Sequence, residues 1–563
     1  MSVSEATTLF RARRVVTLDP AFPVAEAVLV RGGRILGVGS VESLAAWGPA
    51  ERDDRFADDV LLPGFVEAHS HVLAGGVWAY EYVGYFDRRG PDGEIRPGCT
   101  STGQLLERLR KLDGAMSDPD EELIVWGFDP IYFGGNDRSG DDGADERLAA
   151  HHLDRVSRTR PIFIFHASGH LATVNTALME REGFADGAEV EGLPRGADGR
   201  PLGELQEPAA MSLARTAFIT FMRSMQSDES IVRMGQEARW AGITTMTELG
   251  TLPLGDDAVV EKWARAVAAE DFPVRVSAFY NPGFDTSRAT PEAKAERALE
   301  LRKRSSEKFR LGHVKMILDG SIQGFTARLN PPGYLGGQPN GIWLMAPEVF
   351  RENLAALHKA GITVHVHCNG DQAVDLFLET LEPILRANPW PDHRHTVQHC
   401  QLTTASQYRR MAALGMNANI FSNHIWYWGD QHHEITLGPD RAARMNACAT
   451  ALREGVRFSL HSDASITPLG SLHTAWCAAN RLTPKGRTLG PEERISVWQA
   501  LRAVTVDAAH QLHMDHEIGT LEAGKRADMV ALERDPLSLE PGELRDIAVR
   551  GTVLGGVPTA AAG

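Results

Sequence analysis

The feature that most limits how this chain can fold is a long alternation in its middle. Apolar, β-branched runs of strand length take turns with helix-length amphipathic segments. The candidate strands are 61–69, 161–167, 243–249, 273–280, 313–319, 362–368, 395–401, 416–422 and 456–463, with helices such as 347–360 and 372–387 fitting between them. Strands separated by helices argue for βαβ units and a parallel sheet, and hence for the α/β class. Nine candidates are one too many for an eight-stranded barrel. We assign 161–167 to an insertion over roughly 80–235, because that stretch carries the Gly/Asp-rich segments GGNDRSGDDGADE and RGADGRPLG, which suit peripheral loops.

The ends read differently. Residues 6–60 contain the strand-like RRVVTL and AVLVRGGRILGVG, with Gly32-Gly33 as a hairpin turn, and the C-terminal stretch repeats the character in ADMVALERDP and DIAVRGTVLGGVP. We expect 1–60 and 516–563 to form one small β unit built from both termini, flanking a barrel over 61–515.

Composition narrows the function classes. The net charge is −16, from 74 acidic and 58 basic residues, which argues against a nucleic-acid binder. Five cysteines are scattered without a CxxC pair, so the reducing cytoplasm is the expected compartment. The opening MSVSEATTLFRARRVVTLDP has no apolar core, so no signal peptide is expected, and no run approaches the ~20 apolar residues of a membrane helix. Neither GxSxG nor GxxxxGK[ST] occurs.

The chemistry-bearing residues lie at the ends of the candidate strands. His69 and His71 in PGFVEAHSH share a strand face, because side chains alternate. Two imidazoles on one face at the strand's mouth can grip a metal, though an isolated HxH can equally be a strand end leaving the core. Lys315 interrupts the apolar HVKMILDG, where an unpaired cation is costly. It is either ion-paired, with Asp319 as the candidate, or carboxylated on its amine to become an anionic metal bridge. In ITVHVHCNGD, His367 is nearer the mouth than His365 and is the favoured ligand. His399 ends HTVQHCQ. His461 and Asp463 repeat the two-residue spacing, with Asp463 at the mouth as a metal ligand and proton acceptor. Imidazole and carboxylate donors suit zinc, one ion or two, with iron, manganese, nickel and cobalt also served.

Taken in order, HxH, Lys, His, His and Asp on successive strands resemble the amidohydrolase superfamily, in the branch of N-substituted formamide deformylase. The resemblance runs through LPGFVEAHSH, GHLATVNTAL, VKMILDGSIQ, HVHCNGDQAV, QHCQ, HSDASITP and GTLEAGKRADMVAL. It implies a (β/α)8 TIM barrel with a composite β-sandwich from both termini and a large insertion after the first barrel strand. It further implies metal ligands at His69, His71, His367, His399 and Asp463, with Lys315 as a bridging N6-carboxylysine, and it brings His170 and Asn175 near the substrate entrance. The chain departs from that pattern at FSNHIWYWGDQHH, at Cys368-Asn369 and at His461, where a glycine is frequent.

The implied activity is hydrolysis of a C–N bond in a small amide, N-formyl or N-acyl compound by activated water, with Asp463 as general base and then acid. A lyase, a decarboxylase or an esterase on the same barrel stands as the alternative, and a non-catalytic metal-binding scaffold as a third. His424, Trp426 and Trp428, after the seventh strand, either shape the pocket or simply pack the rim. The adjacent His432-His433 pair is expected to be solvated. Asp371 is expected to support the loop after the fifth strand, as a hydrogen-bond acceptor or a helix cap. A homodimer is compatible with the chain, but no feature fixes its symmetry.

Overall fold

A computed structural model describes residues 6–71, 73–133 and 147–560. The Gly/Asp-rich segment 134–146 of the expected insertion lies outside the described residues. The chain forms two compact units, one from Met1–His71 with Gly235–Gly563 and the other from Val72–Met234.

The first unit contains an eight-stranded parallel sheet. Its strands, numbered here along the barrel, are β1 (Phe65–Glu67), β2 (Ile243–Leu249), β3 (Arg275–Tyr280), β4 (Phe309–Ile317), β5 (Val364–Cys368), β6 (Thr396–His399), β7 (Asn417–Ile420) and β8 (Phe458–Leu460). Each pairs in parallel with the next. The seam between β8 and β1 is closed at the mouth by a parallel bridge, Ser70 to Ala464. There the amide of His71 donates to Ala464 O at 2.7 Å and that of Asp463 to His69 O at 3.1 Å. The ring of strands is the expected TIM barrel, and intervening helices cover its outside. The helix Pro347–Lys359 starts with proline at its first position and buries Phe350, Leu354 and Leu357. The helix Asp371–Ala387 buries Val374, Phe377, Leu378 and Leu381. Each such side chain contributes about 1.5–3 kcal/mol by leaving water.

The strand expected over 61–69 is in fact two. Val60–Pro63 pairs with Met529–Leu532 in the terminal sheet, and Phe65–Glu67 enters the barrel. The break falls at Gly64, where a Cβ would lie 2.1 Å from Thr244 Oγ1, so only glycine lets the chain pass from one sheet to the other. Both termini meet in that terminal sheet. Its order is Val557–Ala560, Val549–Leu554, Met529–Leu532, Val60–Pro63, Thr8–Val16, Val24–Arg31, Arg34–Gly39, with Glu51–Asp53 beside Thr8–Val16. The expected hairpin turn has Gly32 and Gly33 at φ 61° and 75°, the left-handed pair of a type I′ turn. Phe10, Val15 and Val28 from one end share an apolar cluster with Met529, Ala531 and Val553 from the other. Arg275 of β3 is tied to this sheet: its Nε donates to Asp528 Oδ2 at 2.8 Å and an Nη to Oδ1 at 3.2 Å, both side chains being at most 3% exposed.

The second unit is a five-stranded sheet, ordered Glu204–Gln206, Leu171–Val174, Ile162–His166, Leu123–Phe128, Glu81–Tyr82. The ninth candidate strand is therefore Ile162–His166, outside the barrel as assigned. Apolar clusters line both of its faces, with Phe163 and Phe165 on one and Ile162 and Ile164 on the other. Among the described residues, no helix is long and apolar enough to cross a membrane.

Candidate metal centre

The side chains singled out on β1, β4, β5, β6 and β8 come together at the C-terminal ends of the barrel strands, where active sites of this architecture lie. His69 Nε2 is 3.3 Å from His71 Nε2, and Asp463 Oδ1 is 3.3 Å from the first and 3.2 Å from the second. Lys315 Nζ stands 3.5 Å from His69 Nε2. His399 Nε2 is 2.9 Å from His367 Nδ1, and its Nδ1 is 3.2 Å from His461 Nε2 and 3.8 Å from Asp463 Oδ2. His367 Nε2 lies 3.1 Å from both Gly320 O and Asn369 Nδ2.

The local backbone explains how the donors reach one another. His399 and Asp463 both sit at positive φ, 70° and 52°, which turns each side chain off its strand line. Glu67, on β1, holds the seam beneath them: Oε1 accepts from the amides of His69 and Ser462 and Oε2 from the Ser462 hydroxyl at 2.7 Å.

Burial sets the electrostatics. It drives His69 and His399 well below the usual histidine range, aided for His69 by Lys315 and for His399 by His367, and takes His461 down to about 3. All three rings are thus neutral and keep a lone pair. Burial also lowers the Lys315 amine to about 7 and raises the Glu67 carboxyl to about 8. It pushes Asp463 up as well, but the neighbouring His71, His461 and Lys315 outweigh it and hold the carboxyl below its usual value, as an anion.

These donors fit a divalent ion. Ligand atoms about 2.0–2.2 Å from a tetrahedral zinc stand roughly 3.3–3.6 Å apart, which is the spacing of His69 Nε2, His71 Nε2 and Asp463 Oδ1. Asp463 Oδ1 is buried without a well-aligned hydrogen-bond donor, the condition of an atom built to meet a cation. Among the described residues, two groups have the proximity to hold an ion: His69, His71 and Asp463, and His69, His399 and His461.

His461 enters this cluster although the linear pattern marked only Asp463 beside it. Gln398 and Asn419 are further additions. The signal that pointed to Lys315, a polar residue inside an apolar strand, was present only in the weaker form of a neutral amide in HTVQHCQ and MNANIFS. Asp319, the alternative partner for Lys315, instead accepts from the amides of Asn369, Gly370 and Arg328 at 2.8–3.0 Å. Asp371 begins a helix and accepts from Asn330 N at 2.8 Å.

The aromatic residues after β7 divide. His424, on the helix His424–Gln431, packs on Phe421 with ring centres 4.2 Å apart, and Trp428 lies 5.6 Å from His424. Phe421 in turn stacks on His461 at 4.9 Å, so these three rings form a wall continuous with the cluster. Trp426 is not brought there; it packs edge-on against Trp476 and lies 4.6 Å beneath the Arg545 guanidinium. His432 is buried, not solvated, because Gln401 and Thr436 bond its two ring nitrogens at 2.9 and 2.7 Å. In the second unit, His170 Nδ1 is paired with Glu207 at 2.8 Å. Asn175 caps the helix Thr176–Glu182, its Oδ1 accepting from Leu178 N and Ile162 N and its Nδ2 donating to Ser157 O and Arg160 O.

The sequence pattern described as the amidohydrolase family matches residues 57–560. The protein LONG AFTER FAR-RED 3 of Arabidopsis thaliana is 28% identical over 92% of this chain and 85% of its own length. N-substituted formamide deformylase of Arthrobacter pascens is 25% identical over 96% of each. Among solved structures, an uncharacterized metal-dependent hydrolase from Pyrococcus horikoshii shares the fold at a TM-score of 0.67, with 17% identity over 96% of this chain and 100% of that one. A triazine hydrolase variant does so at 0.53, with 15% identity over 99% and 95%.

Proposed function

The chain belongs to the amidohydrolase family, and from that premise we propose that it hydrolyses a C–N bond of a small amide, N-formyl or N-acyl compound at a divalent metal centre. The observation that carries the reading is the convergence of His69 Nε2, His71 Nε2 and Asp463 Oδ1 to within 3.3 Å at the barrel mouth. The C–N preference is supported by the formamide deformylase, alike over 96% of both chains. Zinc is the ion these donors suit best. His69, His71 and Asp463 would hold one ion, and His367 and His399 a second.

Lys315 supplies the link. Burial leaves its amine near neutrality, and an unprotonated amine attacks carbon dioxide. A C–N bond would form, a proton would leave, and the carbamate would offer anionic oxygen to an ion held by the neighbouring histidines.

A bound divalent cation lowers the pKa of water toward about 7 and polarises a carbonyl. The rest falls to the protein's own groups. Asp463, held as an anion, accepts the attacking water's proton and returns it to the departing nitrogen. Phe421, His424 and Trp428, buried beside the cluster, would set the apolar, aromatic shape that the substrate's side group meets. The five cysteines are free and buried, which suits a reducing cytoplasm.

The test combines metal analysis of the purified protein with a screen of N-formyl and N-acyl amines, run in oxygen-18 water. Stoichiometric zinc and label in the released carboxylate are expected. A metal-free protein, or amine release without label, would overturn the reading.

A further inference from the structure

Asn419, on β7, bonds toward both arms of the cluster. Its Nδ2 donates to Ala68 O at 3.2 Å and to Gln398 Oε1 at 2.8 Å. A main-chain carbonyl only accepts, so Ala68 pins the amide's orientation. Asn419 Oδ1 is thereby left facing His461 Nδ1 at 2.9 Å. An amide oxygen also only accepts, so His461 is protonated on Nδ1 and bare on Nε2. That bare nitrogen faces His399 Nδ1 at 3.2 Å. His399 consequently keeps its proton on Nδ1 and turns a bare Nε2 toward His367 Nδ1.

The other arm follows from the same amide. Gln398, oriented by Asn419, uses its Oε1 to accept from His69 Nδ1 at 2.6 Å, and its Nε2 donates to His365 Nδ1 at 2.9 Å. His69 is therefore bare on Nε2, the nitrogen beside His71 and Asp463. His461 is clasped for its part, stacked on His69 at 4.7 Å and on Phe421 at 4.9 Å.

We propose that Asn419 is the positioning residue of the metal centre, fixing His69 through Gln398 and His399 through His461 in the tautomer that aims Nε2 at the ions. His461 is then a relay and not a ligand, and this chain carries it where a glycine would leave His399 without a partner. The inference rests on the metal-hydrolase reading. Outer partners of metal-binding histidines are worth about 10–100-fold in metal affinity, which sets the expected effect.

The experiment measures zinc affinity by chelator competition, and the visible spectrum of the cobalt-saturated protein, for the unaltered chain and for His461→Phe, His461→Gln, Asn419→Leu and Gln398→Met. His461→Phe should lose about 10–100-fold in affinity while its cobalt-saturated spectrum stays that of the unaltered protein. His461→Gln, which keeps an acceptor toward His399, should recover most of the loss. Asn419→Leu should lose more than either Gln398→Met or His461→Phe. Should Asn419→Leu fail to fold, the two His461 variants decide the matter alone. Unchanged affinity in His461→Phe, or no recovery in His461→Gln, overturns the relay. An altered cobalt spectrum in His461→Phe overturns it too, making His461 a ligand. Absence of zinc from the unaltered chain would sink the metal-hydrolase reading itself.

Discussion

Replacing Asp463 by asparagine separates the two roles proposed for it, ligand and proton acceptor. The substitution keeps the shape and one oxygen but removes the charge that His71, His461 and Lys315 stabilise. As a ligand, the residue loses an anionic donor 3.2 and 3.3 Å from its two imidazole neighbours, and metal affinity falls. As a proton acceptor it loses its function outright, because an amide oxygen is far too weak a base at neutral pH. A positioned general base contributes about 10²–10⁴ in rate, equivalent to roughly 2.7–5.4 kcal/mol of barrier at 1.36 kcal/mol per decade. Excess zinc should therefore refill the variant without restoring it: kcat stays down by at least about 100-fold, and KM moves little. The assay is steady-state hydrolysis across a zinc titration, with metal content measured on the same samples. A refilled Asp463→Asn protein that turns over at the original rate would refute the assignment of proton transfer to this carboxylate.

Asp528→Ala removes the buried carboxylate partner of Arg275 and leaves only the exposed Glu307 at 3.1 Å, so it should lower stability in urea unfolding by about 3 kcal/mol; a loss under about 1 kcal/mol would show the pair to be dispensable. Trp428→Ala should raise KM, whereas Trp426→Ala should leave kinetics unchanged and lower only the melting temperature; the reverse pattern would reassign the aromatic wall. His395 is held well below the usual histidine range and His393 below it, chiefly by burial; the His395 ring lies 2.9 Å from His358 Nδ1 and its amide donates to His393 Nδ1 at 2.9 Å. Their folded values lie below the unfolded one of about 6.5. The stability they confer is thus complete above that pH and drains away as pH falls through the folded values. Denaturation midpoints at pH 7.5 and 5 should show the drop, and His395→Gln should shrink it. Chelation should abolish turnover and lower the melting temperature, since an ion at 100 times its Kd adds about 2.7 kcal/mol.

Much of the architecture was legible because it is periodic. The strand read over 243–249 occupies those residues, and removing 161–167 from the barrel followed from the loop chemistry around it. The break at Gly64 was not legible: its cause is Thr244, far along the chain, and no local pattern records that approach. Lys315 stood out because a charge in an apolar strand is costly anywhere. Gln398 and Asn419 did not, because a neutral amide in a strand reads as a minor irregularity until its partners are known. His432 was misread for the same reason, its dipeptide resembling surface until Gln401 and Thr436 close around it.

The join at Glu67 has a temporal meaning. Its carboxylate grasps Ser462, 395 residues further along the chain, and the same stretch brings Asp463. During synthesis, a nascent polypeptide exposes the first two imidazoles long before the ribosome delivers the carboxylate that completes their site. A fragment cut short upstream of Ser462 would keep both imidazoles yet lack the carboxylate that stands beside them.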